Sequence, residues 1–168
     1  MMDYKLLMRS LPAKLYKLFM ELWYVPQRKD YHPEGNVLKH SIVVIKRSLA
    51  NYPNNINMAL AAIFHDIGKL DTFKFNDNGE PTAHGHEDVS ADIVNEYSDW
   101  IKSVGGNPEV VWTIVKNHMR IKYLNEMRPT KRDALMQNKW YQYIYEFSKI
   151  DTKAVSYTHL TLPTILLV

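Results

Sequence analysis

The chain has 168 residues, with 21 Lys and Arg against 18 Asp and Glu, and no cysteine. That length suits one domain whose core is large enough to fold without staples, and the missing thiols exclude disulfides, thiolate metal sites and cysteine nucleophiles. A net charge of +3 admits an anionic substrate and is too small to argue for nucleic-acid binding by itself.

The start, Met1-Met2-Asp3-Tyr4-Lys5, is followed by no long apolar run, so neither a signal peptide nor a membrane span is read and the expected location is cytoplasmic. Apolar residues recur at helical spacing through most of the chain, which predicts an all-α bundle. Ser10 is placed to cap a helix with Pro12 in its first turn and Leu15, Leu18, Phe19 and Leu22 on its inner face, ending near residues 24–26. A polar loop through 31–35 leads into a helix over 37–51, where Val37, His40, Val44 and Ser48 or Leu49 share a stripe, so His40 points at the core.

After a turn at 51–55 comes the run Ala61-Ala62-Ile63-Phe64-His65-Asp66-Ile67-Gly68-Lys69, an apolar helix ending in an imidazole beside a carboxylate. An ionised acid buried there without a partner would cost several kcal/mol, roughly, and a cation would remove that penalty. On its own the pair also reads as a core histidine beside a capping acid. Asn78-Gly79 and Pro81 then suggest a small hairpin around 72–82.

The next helix is expected from Glu87, with Val89, Ile93, Tyr97, Trp100, Ile101 and Val104 on one period and Gly105-Gly106 at its end. Asn107-Pro108-Glu109 combines a cap, a proline and a first-turn acid, and restarts a helix that turns His118 inward behind Val111, Ile114 and Val115. The last helix, 138–154, faces Tyr143, Ile144, Phe147 and Ile150 inward, with Asp151 one turn beyond Phe147. Residues 155–168 carry no Lys, Arg, Asp or Glu, and the run Val155-Ser156-Tyr157-Thr158-His159-Leu160-Thr161-Leu162-Pro163-Thr164 resembles one reading frame of a transposase sequencing adapter. The expectation is therefore a domain over 1–154 and a non-native read-through tail over 155–168, with a genuine apolar tail as the alternative.

The inward-aimed ligand types are His40, His65, Asp66, His118 and Asp151, with His84 and His86 in the loop before Glu87. Singly each reads as structural. Together, two buried acids with no matching buried Lys or Arg call for compensation, which several imidazoles and a metal supply. Lys69 and Arg120 adjoin these ligands and are the candidates for contacting phosphate; Lys116, Lys122, Arg128, Lys131 and Arg132 extend the basic excess.

The order of these residues, a histidine, then a His-Asp pair, then further histidines, then a late aspartate, resembles the HD-domain phosphohydrolases. Five phrases, HPEGNVLKH at 32–40, AAIFHDIGK at 61–69, GHEDVSA at 85–91, VKNHMR at 115–120 and FSKIDTKA at 147–154, look like the HD domain attached to bacterial CCA-adding tRNA nucleotidyltransferases. The nucleotidyltransferase half is absent, so the chain reads as a free-standing HD protein or a fragment of a larger tRNA-processing enzyme, and CCA addition is not carried over.

The resemblance implies an HD helical bundle holding one or two divalent ions on His40, His65, Asp66, His86, His118 and Asp151, with Asp66 as the bridge and His86 rather than His84 facing the metals. It implies hydrolysis of a phosphorylated small molecule or nucleotide, 2′,3′-cyclic nucleotides first, with Asp66, Lys69 and Arg120 as catalytic candidates. Ligands without sulfur suit Mn, Ni, Co, Fe or Mg alike. The alternatives are a catalytically silent nucleotide-binding module and an RNA-binding module with a structural metal.

Overall fold

The computed structural model describes residues 2–33 and 35–167, the side chains of 155–167 excepted. It is built of helices with one two-stranded hairpin. Helix α1, Tyr4–Ser10, begins at Asp3, whose carboxylate accepts from Leu6 N at 2.8 Å. Ser10 is its last residue, with Oγ donating to Leu7 O, and so does not cap the next helix as expected. That helix, α2 (Ala13–Glu21), starts directly after Pro12, and a 3-10 turn, Leu22–Tyr24, follows it.

Helix α3, Val37–Asn51, is capped by Asn36 Oδ1, which accepts from Lys39 N at 3.0 Å. Helix α4, Ile56–Phe64, is the centre of the molecule. Every residue from Met58 to Gly68 is buried, as its all-round apolar sequence demands. A short α5, Lys69–Thr72, leads into strands β1, Lys74–Phe75, and β2, Pro81–Thr82, paired antiparallel with Lys74 opposite Thr82.

The helix expected from Glu87 is two helices, α6 (His86–Glu96) and α7 (Ser98–Ser103), broken at Tyr97 with φ −108° and ψ 20°. The break sets Trp100 edge-on to Phe64 and lets its indole N–H donate to Ser10 O at 2.9 Å. Helix α8, Pro108–Asn117, has the expected cap: Asn107 Oδ1 accepts from Glu109 N and Val110 N. A 3-10 stretch, Arg120–Glu126, and α9, Pro129–Met136, close a smaller cluster of Ile121, Leu135 and Ile144. Helix α10 runs Tyr141–Leu167, past the expected end at 154. The expectation of a non-native tail over 155–168 falls on side chains outside those described.

Helix α4 packs on α3, α6 and α8, and α10 packs on α3 and α8. The C-terminal end of α4 is thereby surrounded by helices that can each present one side chain to it. Among the described residues no helix is long and apolar enough to cross a membrane.

Candidate metal centre

His65 is the C-terminal cap of α4, and Asp66 follows it in a buried turn. Around them stand His40 from α3, His86 at the first position of α6, His118 capping α8, and Asp151 on α10. All six side chains are buried. Two sets of three place their ligand atoms within 4.8 Å of one another: His40, His65 and Asp66, and Asp66, His86 and His118. Asp66 belongs to both. Its Oδ1 lies 3.1 Å from His86 Nε2 and 3.7 Å from His118 Nε2, while its Oδ2 lies 3.4 Å from His65 Nε2. Asp151 Oδ1 accepts from His40 Nε2 at 2.8 Å and lies 3.6 Å from His65 Nε2.

Glycines let α6 come this close. An added Cβ at Gly68 would lie 2.3 Å from His86 O and 2.8 Å from Ser90 N, so the turn after Asp66 has room only for hydrogen there. Gly68 N instead donates to Ser90 Oγ at 2.8 Å, tying the turn to α6. Gly85, with φ +78°, makes the left-handed turn that aims His86 inward.

Three of the imidazoles are oriented by backbone carbonyls. Nδ1 of His65 donates to Ala62 O (2.8 Å), Nδ1 of His86 to Ala83 O (2.9 Å) and Nδ1 of His118 to Val115 O (2.6 Å). A carbonyl only accepts, so Nδ1 carries a proton, and in the neutral ring Nε2 is a lone pair, the tautomer a metal requires. Burial pushes His65 down to about 3, so its ring is neutral. Among the described residues His65 Nε2 is buried without a hydrogen-bond partner and faces two carboxylates. A lone pair turned toward two anions is repelled by both, and a cation held between them would relieve it.

His86 and His118 make the same point. Their Nε2 atoms are 3.1 Å apart, and a proton on one or a cation between them satisfies the pair. Two nitrogens each about 2.1 Å from one ion lie roughly 3.0–3.4 Å apart at tetrahedral to octahedral angles. The donor set therefore fits a divalent ion on observations of the side chains themselves. Burial opposes ionisation of Asp66, but the carboxyl is held well below the usual range, with the Lys69 ammonium 2.9 Å from its Oδ2. At Asp151 burial is likewise outweighed, chiefly by Lys122 and His40.

Contrary to the expectation from sequence, the buried acids are not without lysine partners: Lys69 Nζ is 2.9 Å from Asp66 Oδ2, and Lys122 Nζ is 3.0 Å from Asp151 Oδ2. Lysine stems are long enough to bring an ammonium in from a turn while the backbone stays at the surface, and Lys122 lies in a 3-10 stretch that helical periodicity does not describe. The case for a metal rests on the nitrogens rather than on unpaired carboxylates.

His86 and Asp151 of the cluster line a cleft of ≈ 790 Å³ whose walls also include Gln27, Lys69, His84, Arg120, Lys122 and Tyr123. His84 is exposed on that wall while His86 is buried beneath it. Arg120 stands at the rim, its Nη1 donating to Asn117 Oδ1 at 3.1 Å. Lys116, from the same basic run, pairs with Asp88 on the outer surface. Gln27 was not singled out from sequence, and Lys122 was named only within the basic run, because neither lies on a periodic apolar face.

The HD-domain family profile matches residues 37–138, more than half of the chain. Among curated proteins, the Multifunctional CCA protein of Burkholderia multivorans is 29% identical over 106 residues, covering 63% of this chain and 25% of that protein. That of Thioalkalivibrio sulfidiphilus is 28% identical over 117 residues, covering 70% and 28%, and that of Cupriavidus pinatubonensis 26% identical over 128 residues, covering 68% and 30%. The chain spans about a quarter to a third of the length of these relatives. No solved structure matches it. With a helical fold, a His-Asp pair at the end of its central helix and a matching profile, the chain belongs to the HD-domain family of metal-dependent phosphohydrolases.

Proposed function

We propose that the chain hydrolyses a nucleotide-type phosphomonoester or phosphodiester, with 2′,3′-cyclic nucleotides as first candidates. One observation carries the reading: two His/Asp sets share Asp66, and His86 of one set lines, with Asp151, a cleft that has cations on its wall. The likeness to the HD region of CCA-adding enzymes is what puts cyclic nucleotides first. His40, His65, Asp66 and Asp151 would hold one divalent ion, and Asp66, His86 and His118 a second. Nitrogen and oxygen donors without sulfur suit Mn, Ni, Co, Fe or Mg. An ion held there lowers the pKa of a coordinated water and draws charge from phosphoryl oxygens.

The chain's own residues supply the rest. Lys69, half-buried beside Asp66 Oδ2, and Arg120 at the rim place positive charge where the equatorial phosphoryl oxygens become more negative as phosphorus is attacked. The imidazoles of His65, His86 and His118, when neutral, keep their lone pairs turned to one region because their Nδ1 protons are committed to the backbone. No side-chain nucleophile is required, consistent with a chain that has no cysteine.

Metal analysis followed by a panel of phosphomonoesters, phosphodiesters and 2′,3′-cyclic nucleotides tests the reading. Asp66→Ala should abolish turnover and metal retention together. Arg120→Ala should keep the metal and lower kcat or raise KM, which separates ligand from substrate contact. A metal-loaded protein inert across the panel would sink the proposal.

A second reading, RNA docking, is favoured by a charge asymmetry. Residues 1–52 carry nine Lys and Arg against four Asp and Glu, so the whole positive excess lies there. On that surface Trp23 is 51% and Tyr24 80% exposed, with Lys39 Nζ 5.1 Å over the Trp23 ring. RNA affinity that falls steeply with salt, and falls again in Trp23→Ala, would support it; salt-insensitive or absent binding would dismiss it.

A further inference from the structure

Hydrolysis as described assigns no task to Gln27, a polar side chain on the cleft wall. Gln27 is 8% exposed and lies between the 3-10 turn and α3. Its Oε1 accepts from Lys69 Nζ at 2.9 Å, and Lys69 Nζ also donates to Asp66 Oδ2 at 2.9 Å. Lysine only donates, so the amide orientation is settled: oxygen faces Lys69 and nitrogen faces away from it. That nitrogen, Nε2, is buried and has no hydrogen-bond partner among the described residues.

The backbone around Gln27 is well held. Gln27 N donates to Gly35 O at 3.2 Å, Val37 N donates to Val25 O at 3.0 Å, and Pro26 pairs with Asn36, the residue that caps α3. Gln27 is therefore fixed to the start of the helix that carries His40. A buried amide donor with no acceptor, on the wall of a cleft and one side chain away from an ammonium, leaves its hydrogen-bonding capacity for a ligand oxygen.

We propose that Gln27 and Lys69 form an oxyanion subsite for the substrate's phosphoryl group. Nε2 of Gln27 donates to one phosphoryl oxygen, while Oε1 of the same amide positions Lys69 to bind a second oxygen and to remain on Asp66. This rests on the phosphohydrolase reading of the cleft, and it assigns the two ends of one amide separate tasks. Gln27→Glu separates them, since it keeps an acceptor for Lys69 and loses the donor. Gln27→Met removes both without adding charge.

The test is calorimetric titration of inorganic phosphate into wild type, Gln27→Glu and Gln27→Met, each with manganese and without, and of manganese into all three. Phosphate affinity is expected to fall at least tenfold in both variants. Manganese affinity should stay within threefold of wild type in Gln27→Glu and weaken in Gln27→Met, where Lys69 loses its acceptor. Gln27→Met binding phosphate as wild type does, or wild type binding no phosphate, overturns the subsite. If phosphate binding shows the expected losses and no phosphoester is hydrolysed, the subsite stands and the hydrolase reading falls. If phosphoesters are hydrolysed and Gln27→Met has unchanged KM and kcat, the subsite falls and the hydrolase reading stands.

Discussion

Asp66 is where the geometry converges, because each of its oxygens serves a different set of imidazoles: Oδ1 faces His86 and His118, and Oδ2 faces His65 and Lys69. The residue beside that turn with least freedom is Gly68. Its position against His86 O and Ser90 leaves no space for a methyl group, so Gly68→Ala is expected to push α6 away and cost about 1–3 kcal/mol. A urea midpoint equal to wild type would show that α6 yields without loss, and manganese retention measured on the same variant reports whether His86 moved. His40 and Asp151 were legible in sequence because each is a polar residue at an apolar helical position, and His65, Asp66 and His118 because each follows the end of an apolar helical run. Gln27 was not, and Lys122 only as one of a basic run, since a loop and a 3-10 stretch supply no period against which a buried polar residue stands out.

At the scale of elements, the site depends on α3 and α10 holding His40 opposite Asp151. Toward the other end of α3, the Tyr52 hydroxyl donates to Glu146 on α10, and burial together with that carboxylate pushes the phenol up to about 12. Tyr52→Phe is expected to lower stability by about 1 kcal/mol through loss of one net hydrogen bond to a charged group; thermal unfolding measures it, and an unshifted transition would show that packing alone fixes the two helices. The central helices could be read from sequence because their apolar faces are long and, for α8, because the cap Asn107 stands where expected; the caps Asn36 and Asn55 are seen only in the structure. The break at Tyr97 was not legible. Its apolar residues keep helical spacing across the break, and the tertiary contacts of Trp100 with Phe64 and Ser10 go with a change of direction that local pattern does not encode. Helix α9 was missed for the opposite reason, since it buries only Leu135.

For the whole molecule, a buried neutral imidazole and two buried ionised carboxylates make stability depend on pH. Between its ordinary 6.5 and about 3, His65 is protonated in the unfolded chain and neutral in the folded one, so stability falls as pH drops through that window, by up to about 1.4 kcal/mol per unit. His118, also lowered by burial, acts in the same direction. Asp66 and Asp151, held well below 3.8, contribute stability that is present above their unfolded value and lost on further acidification. The metal-free protein is therefore expected to have a lower urea midpoint at pH 5 than at pH 7.5, with a shallower dependence in His65→Gln. A midpoint that rises on acidification would contradict the neutral assignment of His65.

A two-ion centre depends on Asp66 serving both ligand sets. Manganese is titrated into metal-free protein and followed calorimetrically for wild type, His118→Ala and Asp66→Ala. Two ions per chain are expected for wild type, one in His118→Ala and none in Asp66→Ala. Wild type that takes up no ion, or Asp66→Ala that binds as wild type does, would show that Asp66 does not join the two sets.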